Sequence, residues 1–299
     1  MSEDGAETGI GPVPVPADAG PGWYQDPAQG SRSRWWDGRE WTWQVTDGRS
    51  VGWDPVPEGG DHSVQRGLPG LGVAVVGFVA GAALGIVAQV TLALAGKPGG
   101  WVVALPVSEA GLWSALIGAC VVVSRRRGTG HVGRDMSFAF RPVDLGLGLA
   151  AAIAGRMMSS AAVVPFTFLL VNHKSKPPDQ QTLGHLAHGP AGWTVLVLVT
   201  CVGAPVVEEL FFRGLVQTRL VQRWGPVAGI AVTSALFGAA HLIGWAGPIS
   251  LLYAWAVAFG GLALGTARHL TGRLGTSMIA HCLFNAQAVI ALAAVAAIR

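Results

Sequence analysis

Glu208 and Glu209 are adjacent carboxylates at the end of an apolar run that begins near Trp193. His241, His281 and Asn285 fall inside further apolar runs. An ionised side chain in hydrocarbon costs roughly 2.5–3.5 kcal/mol on insertion scales. Either the run has already ended at Val207 and the charges sit in water, or the pair has work to do inside the membrane. The residue types name that work. A carboxylate beside an imidazole can activate water as a general base. A second histidine and an amide can donate hydrogen bonds to the oxyanion that forms when water adds to a carbonyl. The set suits hydrolysis of an amide. Ser234 and Ser277 are on neighbouring turns, but neither lies in a nucleophile motif.

Spacing divides these groups into roles. Arg213 follows Glu209 by four residues, one helical turn, so Glu209 has a cation of its own. Glu208 points elsewhere. Gly225-Pro226 is the natural turn between the run holding the carboxylates and the next. Glu208 lies seventeen residues before Gly225 and His241 sixteen after it. At ~1.5 Å rise per residue, two antiparallel helices meeting there bring Glu208 and His241 to one depth. This requires helix to continue past Arg213, which the amphipathic stretch Leu215, Val216, Leu220 and Trp224 allows. His281 and Asn285 are four apart and share a helix face. Phe237, one turn before His241, can pack under it and keep the site dry.

The elements that must position these groups are membrane spans. Half of the 299 residues are hydrophobic (51%), only 12% are charged, and the mean hydropathy is +0.46. Soluble domains carry roughly 25% charged residues. The net charge of +3 is scattered, with no basic stripe, so nucleic-acid binding has no support. Cys120, Cys201 and Cys282 are dispersed through apolar runs and read as buried core residues, neither disulfide framework nor metal site. Seven runs are each near the ~20 residues a helix needs to cross hydrocarbon: 68–94, 102–124, 143–171, 191–212, 227–245, 249–267 and 274–298. A break at Gly155-Arg156 or Pro165 would make them eight. Trp101, Trp193, Trp224 and Trp245 sit at span ends as interfacial anchors. Arg125-Arg126-Arg127, Arg134, Arg141, Arg213, Arg219, Arg223, Arg268 and Arg273 cluster in alternate loops. The other loops carry only Lys97, Lys174 and Lys176. The positive-inside rule therefore predicts a multi-pass plasma-membrane protein with a cytoplasmic N-terminus. Arg156, inside the third run, reads as structural, and His185 and His188 as solvated loop residues.

Ahead of the spans, residues 1–20 are acidic and then rich in Gly and Pro, with no apolar stretch behind a basic start. They read as a disordered leader, without a cleaved signal peptide. Residues 21–47 hold Trp23, Trp35, Trp36, Trp41 and Trp43, with turn chemistry at Asp26-Pro27 and Asp37-Gly38. A mini-sheet of two or three strands, stapled by tryptophans, is expected there. Residues 48–67 read as a linker and 68–299 as the membrane domain. The fold expected is an all-α polytopic membrane protein behind a small Trp-rich β mini-domain.

Glu208-Glu209-Leu-Phe-Phe-Arg213, Phe237-Gly-Ala-Ala-His241 and His281-Cys-Leu-Phe-Asn285 resemble the EExxxR, FxxxH and HxxxN motifs of one family. It is the CPBP family of CaaX-protease and bacteriocin-processing intramembrane glutamic proteases, also called Abi. The three motifs occur in order, each on a separate expected helix. The resemblance implies Glu208 and His241 as the water-activating pair, His281 and Asn285 as the oxyanion pair, and Glu209, Arg213 and Phe237 in support. It implies a peptide or membrane-protein substrate within the lipid bilayer and no cofactor. A metal-dependent version remains open, since one Glu and two His are a catalytic zinc ligand set, although no HExxH is present. So does a non-enzymatic immunity or scaffold protein binding a peptide in the same cavity. The GWY-DP opening and RWWDG-W-T centre of residues 21–47 resemble a short Trp-rich bacterial domain of unknown function. That resemblance implies recognition of a protein partner, not chemistry.

Overall fold

The computed structural model describes residues 19–20, 22–26, 29–36, 41–48, 51–53, 70–96, 100–170, 188–243 and 248–297. The chain divides into two compact units, Met1–Arg66 and Gly67–Arg299. The first is a four-stranded antiparallel meander of β1 (Gly22–Gln25), β2 (Ser33–Trp36), β3 (Trp41–Thr46) and β4 (Val51–Trp53), in that order across the sheet. So short a sheet has little apolar bulk to bury. Aromatic pairs and one ionic cluster hold it instead. Trp23 meets Trp35 edge-on at 5.3 Å between ring centroids, and Trp36 meets Trp41 at 5.4 Å. Arg34, fully buried, donates through Nε (3.0 Å) and Nη2 (3.1 Å) to the two oxygens of Asp26, which Arg32 also reaches at 2.6 Å. The sheet has one strand more than the two or three expected, because β4 falls in the stretch read as linker. The Asp37-Gly38 turn, the leader through residue 18, Lys97, Lys174, Lys176, His185 and Trp245 lie outside the described residues.

The second unit is helical. Its elements are α1 (Leu71–Leu94), α2 (Gly100–Arg127), the short α3 (Val132–Asp135), α4 (Asp144–Leu170), α5 (residues 189–224), α6 (residues 226–240), α7 (Pro248–Thr271) and α8 (Leu274–Ala297). Among the described residues, six helices are long and apolar enough to cross a membrane. The longest, Gly189–Ala240, is broken at Gly225 (φ 78°, ψ 170°) into α5 and α6, so seven limbs result. Glycine adopts that left-handed φ without a Cβ penalty, and Pro226 supplies a preset first-turn φ for α6. The chain is thus a multi-pass membrane protein preceded by a small β domain.

Three expectations change in detail. α4 runs unbroken through Gly155, Arg156 and Pro165, so the third span does not divide. α5 extends twelve residues beyond the expected end at 212, in keeping with the amphipathic continuation. The fifth span is shorter than expected: helix ends at Ala240 and His241 opens a turn.

The polarity of the bundle is that of a protein whose solvent is lipid. Val75, Val76, Val79, Leu145, Leu251 and Ile290 are all more than half exposed, while Ser124, Asp144, Glu209, Arg213 and Thr276 are buried. α1 packs on α2, α4 on α7 and α8, and α6 on α7. Small residues let the backbones approach: a Cβ on Gly81 would stand 2.9 Å from the Leu112 carbonyl oxygen. The buried charge at one end is a lock. Asp144 at the start of α4 accepts from Arg273 Nη2 (2.6 Å) and Nε (3.0 Å), Thr276 Oγ1 (2.5 Å) and the Arg141 N–H (2.7 Å). It fixes the beginning of α8, the helix that carries His281 and Asn285.

Candidate active site

The helix bearing both carboxylates is not a regular α-helix. α5 contains two π-helical segments, Val197–Gly203 and Glu209–Gln217, flanking the short α-helical piece Ala204–Glu208. Such wide turns are uncommon and concentrate at functional sites. The first has a local cause. The Ala204 N–H bonds back to the Val199 carbonyl, five residues away, and Pro205 has no N–H to offer. The Thr200 carbonyl is therefore free to accept from a side chain, and Asn285 Nδ2 on α8 donates to it at 2.8 Å. A helix irregularity on α5 thus anchors the Asn285 side chain on α8.

Glu209 is sealed in. Both it and Arg213 have zero exposure, with Arg213 Nη1 3.0 Å from Glu209 Oε1. Arg213 Nη2 also donates to the Gly261 carbonyl on α7 (3.4 Å), and its guanidinium lies 4.2 Å over the Phe237 ring. Gly261 permits this approach, since a Cβ there would meet Arg213 Nη2 at 3.2 Å. The same Glu209 oxygen is 3.1 Å from His281 Nδ1. A carboxylate can only accept, so Nδ1 carries the proton that bonds it. The sequence assigns Glu209 to Arg213 alone; in the fold it orients a histidine as well.

Glu208 faces the other way. Together with His241, His281 and Asn285 it borders a cavity of about 400 Å³ among the spans. His281 Nε2 is 3.9 Å from Glu208 Oε2, so this ring bridges the buried carboxylate and the open one. His241 contributes from the end of α6, where its Nδ1 lies 2.8 Å from the Phe237 carbonyl. That acceptor places a proton on Nδ1, so in the neutral ring Nε2 is the lone-pair nitrogen. No hydrogen bond or ion pair joins Glu208 directly to His241; they meet across the cavity they both line. Phe237 packs edge-on against both imidazoles, at 4.9 Å from His241 and 5.6 Å from His281.

Arg156 acts outside this cavity. It donates to Gln287 Oε1 (2.8 Å) and the Phe284 carbonyl (3.2 Å) and lies 4.2 Å over the Phe284 ring. It clamps α4 to the part of α8 that flanks Asn285. His188 is solvent-exposed, and Cys120 and Cys201 are buried without a disulfide. Among the described residues, no three of His, Cys, Asp and Glu gather in a way that would hold a metal ion.

Sequence reasoning passed over other residues of the cavity wall, among them Glu109 on α2, Thr200 on α5 and Tyr253 on α7. Glu109 had a signal: it is the sole Asp, Glu, Lys, Arg or His within the run 102–124, where any charge is costly. Thr200 contributes a backbone atom, which no residue pattern announces.

Comparison with known proteins supplies an independent reading. Residues 190–287 match the family described as type II CAAX prenyl endopeptidase Rce1-like, and residues 21–51 match a family of unknown function, DUF2510. No curated protein and no solved structure matches the chain. The first match covers α5 and α6 and runs into α8 past Asn285, so it contains Glu208, His241, His281 and Asn285. Residues 190–287 are thus similar to the type II CAAX prenyl endopeptidase Rce1-like family, and residues 21–51 to DUF2510.

Proposed function

We propose that this protein is an intramembrane endopeptidase that hydrolyses a peptide bond with a water activated by Glu208 and His241. Glu208 takes a proton from the water as its oxygen adds to the carbonyl carbon, and the proton later passes to the departing amine. The lone-pair Nε2 of His241 holds the same water by accepting its second hydrogen. His281 and Asn285 donate to the oxyanion. Asn285 has an N–H left after bonding Thr200. His281 donates through Nε2 when its ring carries both protons, with Nδ1–H bonded to Glu209 Oε1. Glu209, held by Arg213, serves as a brace. The observation that carries this reading is the convergence of Glu208, His241, His281 and Asn285, from three helices, on one cavity.

The substrate class is a peptide or membrane-protein segment entering from the bilayer, with the Trp-rich domain a docking module for a protein partner. The arginine-rich loops support a plasma-membrane location with the N-terminus in the cytoplasm. The test compares membrane peptides from cells carrying wild type or Glu208→Ala. A peptide that accumulates uncut only with the variant supports proteolysis and identifies the substrate. Indistinguishable peptide profiles, with both proteins equally abundant, contradict it and favour a binding protein. For the metal-dependent alternative, cleavage that stops in strong chelator and returns with zinc would displace the metal-free mechanism.

A further inference from the structure

The cavity has a third carboxylate that neither the three motifs nor the mechanism uses. Glu109, in the first half of α2, belongs to the wall that also holds Glu208, His241 and Asn285. A carboxylate at such a position is expensive and calls for a partner. Among the described residues no lysine or arginine pairs with it. Its polar neighbours are the Trp113 indole, whose N–H lies beside it outside hydrogen-bond geometry, and Glu208, a like charge within electrostatic reach. The rest of the lining mixes apolar side chains such as Phe78, Leu105, Leu112 and Phe212 with uncharged polar ones, Gln89, Ser108 and Tyr253, none of which supplies a counter-charge. Two carboxylates facing one low-dielectric space attract a cation and repel an anion.

Its position along the bundle can be fixed. α2 and α5 run side by side in a constant register: the Trp113 ring abuts Gly203, and Cys120 Sγ donates to the Leu210 carbonyl. Both pairs place α2 residues level with α5 residues ninety positions later. Glu109 is thus level with Val199 and Thr200, and both border the cavity beside it. Glu208 stands nine residues further along α5, at most about 13 Å between backbone levels at ~1.5 Å per residue, since part of that stretch is the wider π-turn. An extended peptide rises ~3.3 Å per residue, so that distance is about four residues.

Resting on the reading of the cavity as a peptidase site, we infer that Glu109 is a specificity residue that binds a cationic side chain of the substrate, about four residues from the bond that Glu208 attacks. Lysine and arginine at that position gain a charge-assisted contact in a dry site. Neutral isosteres do not, and glutamate is repelled.

The test uses the full-length protein in lipid nanodiscs and labelled eleven-residue leucine–alanine peptides carrying one lysine, norleucine or glutamate at each position in turn. Binding is measured on Glu208→Gln, so that cleavage plays no part. The lysine peptide should bind at least about tenfold more tightly than its norleucine counterpart at one position. Adding Glu109→Gln should abolish that preference while norleucine binding is unchanged. Glu109→Asp should retain it, and Glu109→Lys should shift it to the glutamate peptide. Equal binding of lysine and norleucine peptides, or a lysine preference that survives Glu109→Gln, overturns the inference. Equal loss of all peptides on Glu109→Gln also overturns it, since Glu109 would then only hold the cavity in shape. Failure of wild type to cut any peptide refutes the peptidase reading and leaves the binding comparison intact; the two failures are therefore distinguishable.

Discussion

Glu208 and Glu209 are neighbours in sequence, yet they belong to two different regions of the bundle. Around Glu209 the helices close completely. Arg213, His281, Gly261 and Phe237 surround it, and neither charge of the ion pair has any exposure. Around Glu208 the helices part, and its carboxylate, 18% exposed, meets a cavity bordered by two imidazoles, an amide and Glu109. One backbone step, about 100° around the helix, separates a sealed carboxylate from one that faces the cavity. The lesson is that a buried charge in a membrane has two stable solutions. It can be paired and sealed, where it contributes geometry, or left facing a cavity, where it is available to substrate.

That contrast breaks first at Arg213. Arg213→Met leaves Glu209 buried without its counter-charge, with only His281 bonded to it, a loss on the order of 3–5 kcal/mol. Thermal unfolding in detergent should show it as a large drop in Tm, with Arg213→Met combined with Glu209→Leu recovering much of it. Unchanged stability in the single variant would mean that the sealed region is not a brace. Asn285→Ala removes a donor from the cavity side and should lower turnover on the order of 10²-fold, with at most about 1 kcal/mol of stability lost with its bond to Thr200. Arg156→Met takes away the clamp on Phe284 and Gln287. It should cost about 1–2 kcal/mol of stability and only a few-fold in turnover, read by the same two assays. The smallest effect is expected from Pro205→Ala, which restores an N–H able to compete for the Thr200 carbonyl. Turnover should fall a few-fold, about 1 kcal/mol, and Tm should hold or rise, because the helix gains a bond.

Much of this arrangement was legible in the chain. Counting to Gly225 brought Glu208 and His241 towards each other, and both border the one cavity; the (i, i+4) spacing gave Arg213 to Glu209. The depth argument did not reveal that the two residues would face each other across a cavity without touching, since depth leaves the distance between helix axes free. The π-helical segments were illegible for another reason. Which carbonyl an amide chooses depends on packing, such as the Trp113 ring filling the space over Gly203. Asn285 gave its residue type but not its anchor. Glu109 shows the limit of reading by motif: one carboxylate in an apolar run has no spacing to measure. In the short β unit, Val51-Gly52-Trp53 pairs as a strand with β3 although its polar surroundings read as linker.

The most direct measurement sets the two carboxylates against each other. Purified full-length protein, reconstituted in lipid, is assayed for cleavage of the peptide identified in cells and for thermal unfolding, as wild type, Glu208→Gln and Glu209→Gln. The account predicts that Glu208→Gln keeps its Tm within a few degrees and loses cleavage by a factor on the order of 10³. It predicts that Glu209→Gln loses stability heavily, because Arg213 is left without its counter-charge. A stable Glu208→Gln protein that cleaves at the wild-type rate would contradict the central claim.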